Sequence, residues 1–185
     1  MKAKTTFSKL ISAAIIITAM AMTACGRNAQ NVPDDWQRLD SHLFSIQYPD
    51  TFEMDISTIM QGLHFVLSVP KSSPDDLFRA NISLAIQHLG GLNISLDYFV
   101  NFTKNQIEQH IFNGHIVESR RIRANNSEYH QLIYTGRQGE FNFKWMQRIM
   151  IRNERAFVLT FTAEQDRFDN YVEAAEKIMN TFRIR

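Results

Sequence analysis

The sequence predicts an α+β fold: an antiparallel β-sheet of about seven strands flanked by two main helices. Three observations carry this. Apolar residues alternate at period two in several short runs of both halves of the chain. Two stretches, after Ser95 and after Glu164, instead place apolar residues at three- and four-residue steps, the period of a helix buried on one side. Turn signals too short for crossover helices separate the strands of the second half, so neighbours pair as a meander of hairpins. The 185 residues suit one domain, and 44% hydrophobic residues, fourteen of them Phe, supply its core.

The first element is a leader. Lys2, Lys4 and Lys9 make its start positive, and residues 10–24 are apolar and small, with Ile11, Ile15, Ile16, Ile17, Met20 and Met22 as the oily body. A bilayer span needs about 20 apolar residues and this stretch is nearer to about 15. Positive start, short oily middle and small residues at the end form the pattern of a secretory signal peptide. The whole chain carries a formal charge of +1. Without residues 1–24 it has 17 basic against 19 acidic residues, about −2. No basic field remains of the kind that nucleic-acid binders show, so no nucleic-acid partner is expected.

Cys25 is the only cysteine, which excludes an intramolecular disulfide. Residues 26–35, from Gly26-Arg-Asn-Ala to Pro33-Asp-Asp35, are polar and turn-forming and lack any core period. A buried core role for Cys25 is therefore disfavoured, as is an uncleaved single-pass anchor. Residues 25–35 read as a flexible tether, with a reach on the order of 15–20 Å r.m.s..

The domain proper spans 36–185. His42-Leu-Phe-Ser-Ile-Gln-Tyr48 alternates with Phe44, Ile46 and Tyr48 on one face, and Pro49-Asp50 ends it. Leu63, Phe65, Leu67 and Val69 alternate before Pro70, and 71–76 is a loop. Ile82, Leu84 and Ile86 point inward in a third strand closed by Gly90-Gly91. Ser95 is a good N-cap, with Asp97 in the first turn of a helix that Asn113-Gly114 ends. Leu96, Phe99, Val100, Thr103, Ile107 and Ile111 form that helix's inner face.

Residues 115–123 and 128–136 are two strands, the first poor in apolar positions and so expected near an edge. Phe141, Phe143, Trp145, Ile149 and Ile151 line one face of a long strand, interrupted by Gln147. Arg152-Asn-Glu-Arg155 is its turn, and Phe157, Leu159 and Phe161 belong to the next strand. The final helix runs over 165–181 with Phe168, Tyr171, Val172, Ala175, Ile178, Met179 and Phe182 inward. Glu164, Asp166 and Asp169 sit near its N-terminus, where the helix dipole favours acids.

Two resemblances follow from these residues. Met22-Thr23-Ala24-Cys25-Gly26 resembles the bacterial lipobox, in which a large apolar residue, two small ones and Cys direct diacylglyceryl transfer to the thiol. The family usually has Leu where Met22 stands. The resemblance implies cleavage before Cys25, lipid on its sulfur and a place in the cell envelope. Gly26, where Asp would favour inner-membrane retention, points to the outer membrane facing the periplasm if the cell is Gram-negative.

The second resemblance covers the domain. Phe44-Ser-Ile-Gln-Tyr-Pro49 resembles the F-x-I-x-Y-P opening strand of the PsbP/Mog1/DcrB-like superfamily. Ile178-Met-Asn-Thr-Phe-Arg183 is similar to its closing I-x-x-S-F-R, with Thr181 for Ser. The chain departs after Pro49, where such domains often carry Trp and this one has Asp-Thr-Phe52. The resemblance implies an α/β/α sandwich with helices on both faces of the sheet. It implies little about activity, because the superfamily includes photosystem assembly factors, a nuclear-transport regulator and envelope lipoproteins.

The residues offer little chemistry. His42, His64, His88, His110, His115 and His130 are scattered. Only His110 and His115 are close, without the i, i+4 spacing of a helical zinc pair. No G-x-S-x-G elbow is present, Gly90-Gly91 lacks the Lys and Ser/Thr of a phosphate loop, and Asp34-Asp35 and Asp75-Asp76 sit in loops beside Pro. Four N-x-[ST] sequons have meaning only in a eukaryotic secretory route. Neither catalytic residue, metal nor cofactor is expected.

The one surface feature is basic. Lys144, Arg148 and Arg152 share the face opposite Trp145, with Arg120, Arg121 and Arg123 expected on a nearby strand. Such a face can meet anionic headgroups. The favoured reading is a solvated or helix-covered sheet face paired with acids of the last helix. The functional expectation is a non-enzymatic, membrane-anchored envelope lipoprotein with a protein partner. The alternative is a binding module for a small ligand, lipid or cell-wall fragment, with an aromatic pocket between sheet and helix.

Overall fold

Alternation becomes pairing in the computed structural model, which describes residues 33, 35–57, 62–71, 73, 76–124 and 127–185. Phe44, Ile46 and Tyr48 lie along β2 (Phe44–Tyr48) and are all buried. The strand sits between β1 (Gln37–Asp40) and β10 (Arg183–Ile184) in a small antiparallel sheet. β1 and β10 have no counterpart in the sequence reading. At four and two residues they are too short to show a period, and pairing with β2 alone defines them.

The main sheet is antiparallel with seven strands, the predicted number, but the predicted strand at 42–48 is β2 of the small sheet and Glu53–Asp55 takes the seventh place. The seven are β3 (Glu53–Asp55), β4 (Leu63–Ser68), β5 (Asn81–His88), β6 (Phe112–Ala124), β7 (Ser127–Gln138), β8 (Phe141–Arg152) and β9 (Arg155–Glu164). Their order is β3-β4-β5-β9-β8-β7-β6, with every neighbouring pair antiparallel. The chain leaves the interior at β5, crosses through α1 (Leu96–His110) to the far edge, and returns by hairpins until β9 pairs with β5. Apolar-poor β6 is an edge strand, as expected, and β3 is the other. The β8–β9 hairpin turns on Asn153 and Glu154, both at positive φ (50° and 56°), the backbone a two-residue hairpin demands.

Alternation along β8 feeds two cores. Phe143, Trp145 and Ile149 pack with Leu96, Phe99, Val100 and Ile107 of α1 on one face. Met146 packs on the other face with Phe168, Ala175, Ile178 and Met179 of α2 (Phe168–Met179), and Phe44 and Ile46 of the small sheet join them. Helices therefore cover opposite faces. Phe65, Leu67, Ile82, Leu84 and Leu159 are fully buried in this second core, each contributing about 1.5–3 kcal/mol relative to exposure.

The start of α1 is as the sequence predicts, whereas its end and both ends of α2 differ. Ser95 caps α1 by accepting from the Tyr98 N–H at 3.2 Å, worth about 1 kcal/mol. The helix stops at His110, not at Asn113-Gly114, because Ile111 turns extended (φ −94°, ψ 121°). Asn113 (φ 54°) and Gly114 instead open β6 beside a bulge. A Cβ on Gly114 would lie 2.4 Å from the Ile107 carbonyl oxygen, so the chain returns over the helix end only with glycine there. At α2, the Gln165 N–H bonds the Asn142 carbonyl (2.9 Å) and the Arg167 N–H the Glu164 carbonyl (3.0 Å), which holds 165–167 as a turn. Asp169 is the acid left in the first turn.

Candidate functional site

Cys25, the leader and residues 26–32 and 34 of the tether lie outside the described residues. The basic residues predicted on β8 are described, and the structure separates them. Lys144 lies under the start of α2, its Nζ 4.4 Å from the centre of the Phe168 ring and 3.6 Å from Asp169 Oδ1. Arg148 lies under the end of α2 and is only 6% exposed. Arg152 is exposed beside the β8–β9 turn.

Arg148 is the centre of a polar chain. Its Nε donates to Gln131 Oε1 (3.2 Å) and its Nη1 to Asn180 Oδ1 at the C-cap of α2 (2.7 Å). The guanidinium also lies 5.0 Å from the centre of the Tyr129 ring. Gln131 in turn donates to Glu118 Oε1 (3.2 Å), and Glu118 pairs with Arg120 (2.7 Å). Burial pushes the Arg148 pKa down, while Tyr129 and Glu176 favour its charge. A cation at a helix C-terminus also opposes the negative end of the dipole. This arrangement ties α2 to β7 and β6 and offers little cationic surface.

Arg120, Arg121 and Arg123 lie on β6, as expected, and each has a carboxylate: Glu118 for Arg120, Asp97 and Glu128 for Arg121, Glu128 for Arg123. These exposed pairs contribute little to stability.

The histidines do not converge, and no group of three or more metal-ligating side chains forms among the described residues. His88 Nδ1 accepts from the Gly90 N–H at 2.9 Å, inside the turn that Gly90-Gly91 makes. His130 Nε2 lies 2.9 Å from Ser119 Oγ, while its Nδ1 is buried without a partner. Burial lowers the His130 pKa, and Lys104 and Arg121 add to this. Burial likewise lowers that of His64, with His42 adding repulsion.

The aromatic residues invoked for a ligand pocket pack on one another. Tyr134 stacks on Trp145 at 4.9 Å between ring centres, Phe78 meets Phe143 edge-on at 4.6 Å, and Phe161 meets Phe168 at 5.0 Å. An open recess of about 560 Å³ lies elsewhere, between the β7–β8 turn and the approach to α2. Glu140, Phe141, Asn142, Glu164, Gln165 and Asp166 line it. The sequence predicts Glu164 and Asp166 at a helix N-terminus, and only the fold brings Glu140 beside them.

No helix of the described residues is long and apolar enough to cross a membrane. No family model matches the chain, and no curated protein does. Solved structures share its fold. Cyanobacterial PsbP (CyanoP) from Synechocystis matches with a TM-score of 0.59 at 15% identity, over 87% of this chain and 99% of that one. The Ran-binding protein Mog1p of Saccharomyces cerevisiae matches at 0.55 and 6% identity, over 80% and 95%. LpqN, described as involved in cell envelope biogenesis of Mycobacterium tuberculosis, matches at 0.54 and 13% identity, over 82% and 86%. The chain therefore has a PsbP/Mog1-like fold, and at these identities the likeness extends to the fold alone.

Proposed function

We propose that this protein is a bacterial lipoprotein whose PsbP/Mog1-like domain acts as a non-enzymatic accessory in the cell envelope, recruiting a protein partner. The observation that carries the reading is the sequence Met22-Thr23-Ala24-Cys25 at the end of a short oily leader. Diacylglycerol on Cys25 supplies two acyl chains, the number that stable anchoring takes. The domain after the tether is of a kind found in an envelope-biogenesis protein and in a Ran-binding protein. Its own family-like motifs are occupied in holding the fold together.

Metabolic labelling with a palmitate analogue tests the anchor. The wild-type chain takes up label and sediments with membranes, and Cys25→Ala does neither. A Cys25→Ala chain still in the membrane pellet after a carbonate wash would falsify the lipoprotein reading. Affinity capture of the acylated protein from detergent extracts of its host then recovers one specific envelope protein. Repeated capture with no enriched protein counts against the accessory role.

A further inference from the structure

We propose that the outer face of the small sheet, β1-β2-β10, docks on an anionic phospholipid surface; this rests on the lipoprotein reading above. Arg38 of β1 stands opposite Gln47 of β2, and Asp40 of β1 and Arg183 of β10 flank Ser45 from either side. These residues share one face, because Leu39, Phe44, Ile46 and Ile184 point the other way into the core. Arg185, two residues beyond Arg183, donates to the Asp40 carboxylate and to the Ser41 carbonyl, the latter at 3.0 Å. Two guanidinium groups, those of Arg38 and Arg185, thus hold one carboxylate, and Arg183 adds a third cation to the same face. The Arg38 side chain is 51% exposed and that of Arg185 45%. Arg183 is exposed too, and its Nη1 donates to the carbonyls of Asn180 and Phe182.

The position of this face matters as much as its charge. β1 begins at Gln37, twelve residues after Cys25. A chain of that length extends to about 40 Å at most. Lipid on Cys25 would hold β1 near the bilayer, where a weak second contact becomes intramolecular and gains from effective concentration. The fork of an arginine suits phosphate oxygens, and each basic residue near an anionic leaflet is worth about fivefold in binding. The β8 cations lack this combination, since Lys144 and Arg148 lie beneath α2.

The test uses the acylated protein in vesicles of phosphatidylcholine with or without phosphatidylglycerol, plus a spin-labelled lipid headgroup as quencher. A fluorophore is placed at Gln47→Cys, on the proposed face, or at Asn105→Cys, on the exposed side of α1 across the main sheet. With phosphatidylglycerol present, quenching at position 47 should exceed that at 105 severalfold, and high salt should remove the difference. The triple variant Arg38→Gln/Arg183→Gln/Arg185→Gln should lose it too, while staying folded and vesicle-bound. Equal quenching at both positions in an acylated chain overturns the docking face alone. So does a difference that survives both salt and the triple variant. A chain recovered without lipid on Cys25 overturns the docking face and the lipoprotein reading together.

Discussion

Thr181 Oγ1 accepts a hydrogen bond from the Gln47 backbone N–H at 2.8 Å, across 134 residues of sequence. Its own proton faces the carbonyls of Ile178 (2.7 Å) and Gln47 (3.0 Å). The next residue, Phe182, stacks on Phe44 at 5.8 Å between ring centres. The opening motif Phe44–Tyr48 and the closing residues 178–183 are therefore two halves of one joint. Thr181 is 7% exposed, so Thr181→Ala leaves a buried N–H without its acceptor, at a cost of about 1–3 kcal/mol. Thr181→Ser keeps the hydroxyl and should stay within about 1 kcal/mol of wild type. Urea unfolding of the two variants checks this, and equal midpoints would show that the hydroxyl does not hold the joint.

Gly136 on β7 and Gly114 on β6 allow the end of α1 to sit close to the sheet. A Cβ on Gly136 would come within 2.3 Å of Ile111 Cγ2, a side-chain atom, and one on Gly114 within 2.4 Å of the Ile107 carbonyl. Each Gly→Ala change should destabilise by about 1–3 kcal/mol through overpacking. The rescues differ. Ile111→Ala makes room for Gly136→Ala, whereas no side-chain truncation relieves Gly114→Ala. Thermal melts of the two doubles with Ile111→Ala separate these outcomes, and a rescue of Gly114→Ala would contradict the geometry.

Acid should weaken the fold before its carboxylates titrate. His64 and His130 both have folded pKa values pushed below the ordinary 6.5, chiefly by burial. Above 6.5 both are neutral folded or unfolded, and their contribution is complete. As pH falls through 6.5 the unfolded chain binds protons that the folded chain resists, so stability declines until the lowered folded values are passed. The lowered carboxylates, among them Asp40 and Glu128, have ordinary values of 3.8 and 4.5 and matter only in more acid solution. Urea midpoints at about pH 7.5 and about pH 5.5 should differ for wild type and converge for His64→Gln/His130→Gln. An unchanged difference in the double variant would point to other groups.

The long strands were legible because each buries at least one face: Phe65 and Leu67, Ile82 and Leu84, and Phe157, Leu159 and Phe161 impose a visible period of two. β1, β3 and β10 were not, since runs of four, three and two residues are defined by their partners. The helix ends were misplaced for a related reason. Gly114 marks a close approach of chain to helix, which in sequence looks the same as a helix stop. For the candidate surfaces, alternation told that Lys144 and Arg148 share a face, but α2 decides that the face is covered. The cations of the small sheet come from both ends of the chain, Arg38 against Arg183 and Arg185, and only the pairing of β1 and β10 with β2 unites them.

Arg148 offers the sharpest contrast between a fold-holding and a lipid-binding reading of β8. Removing its guanidinium leaves Gln131 Oε1 and Asn180 Oδ1 without their donors, in a position that is 6% exposed. At about 1–3 kcal/mol for a buried group left unsatisfied, Arg148→Ala should cost about 2–4 kcal/mol in all. Lys144→Met loses a cation–π contact and a 3.6 Å ion pair with exposed Asp169, together about 1 kcal/mol or less. Arg152→Ala, exposed at the hairpin, should lie within about 0.5 kcal/mol of wild type. Side chains gripping headgroups would give another order: similar losses of vesicle affinity at all three positions, with stability intact. Urea unfolding and vesicle co-sedimentation of the three variants decide between the two, and a fully stable Arg148→Ala with reduced vesicle binding would return β8 to the membrane.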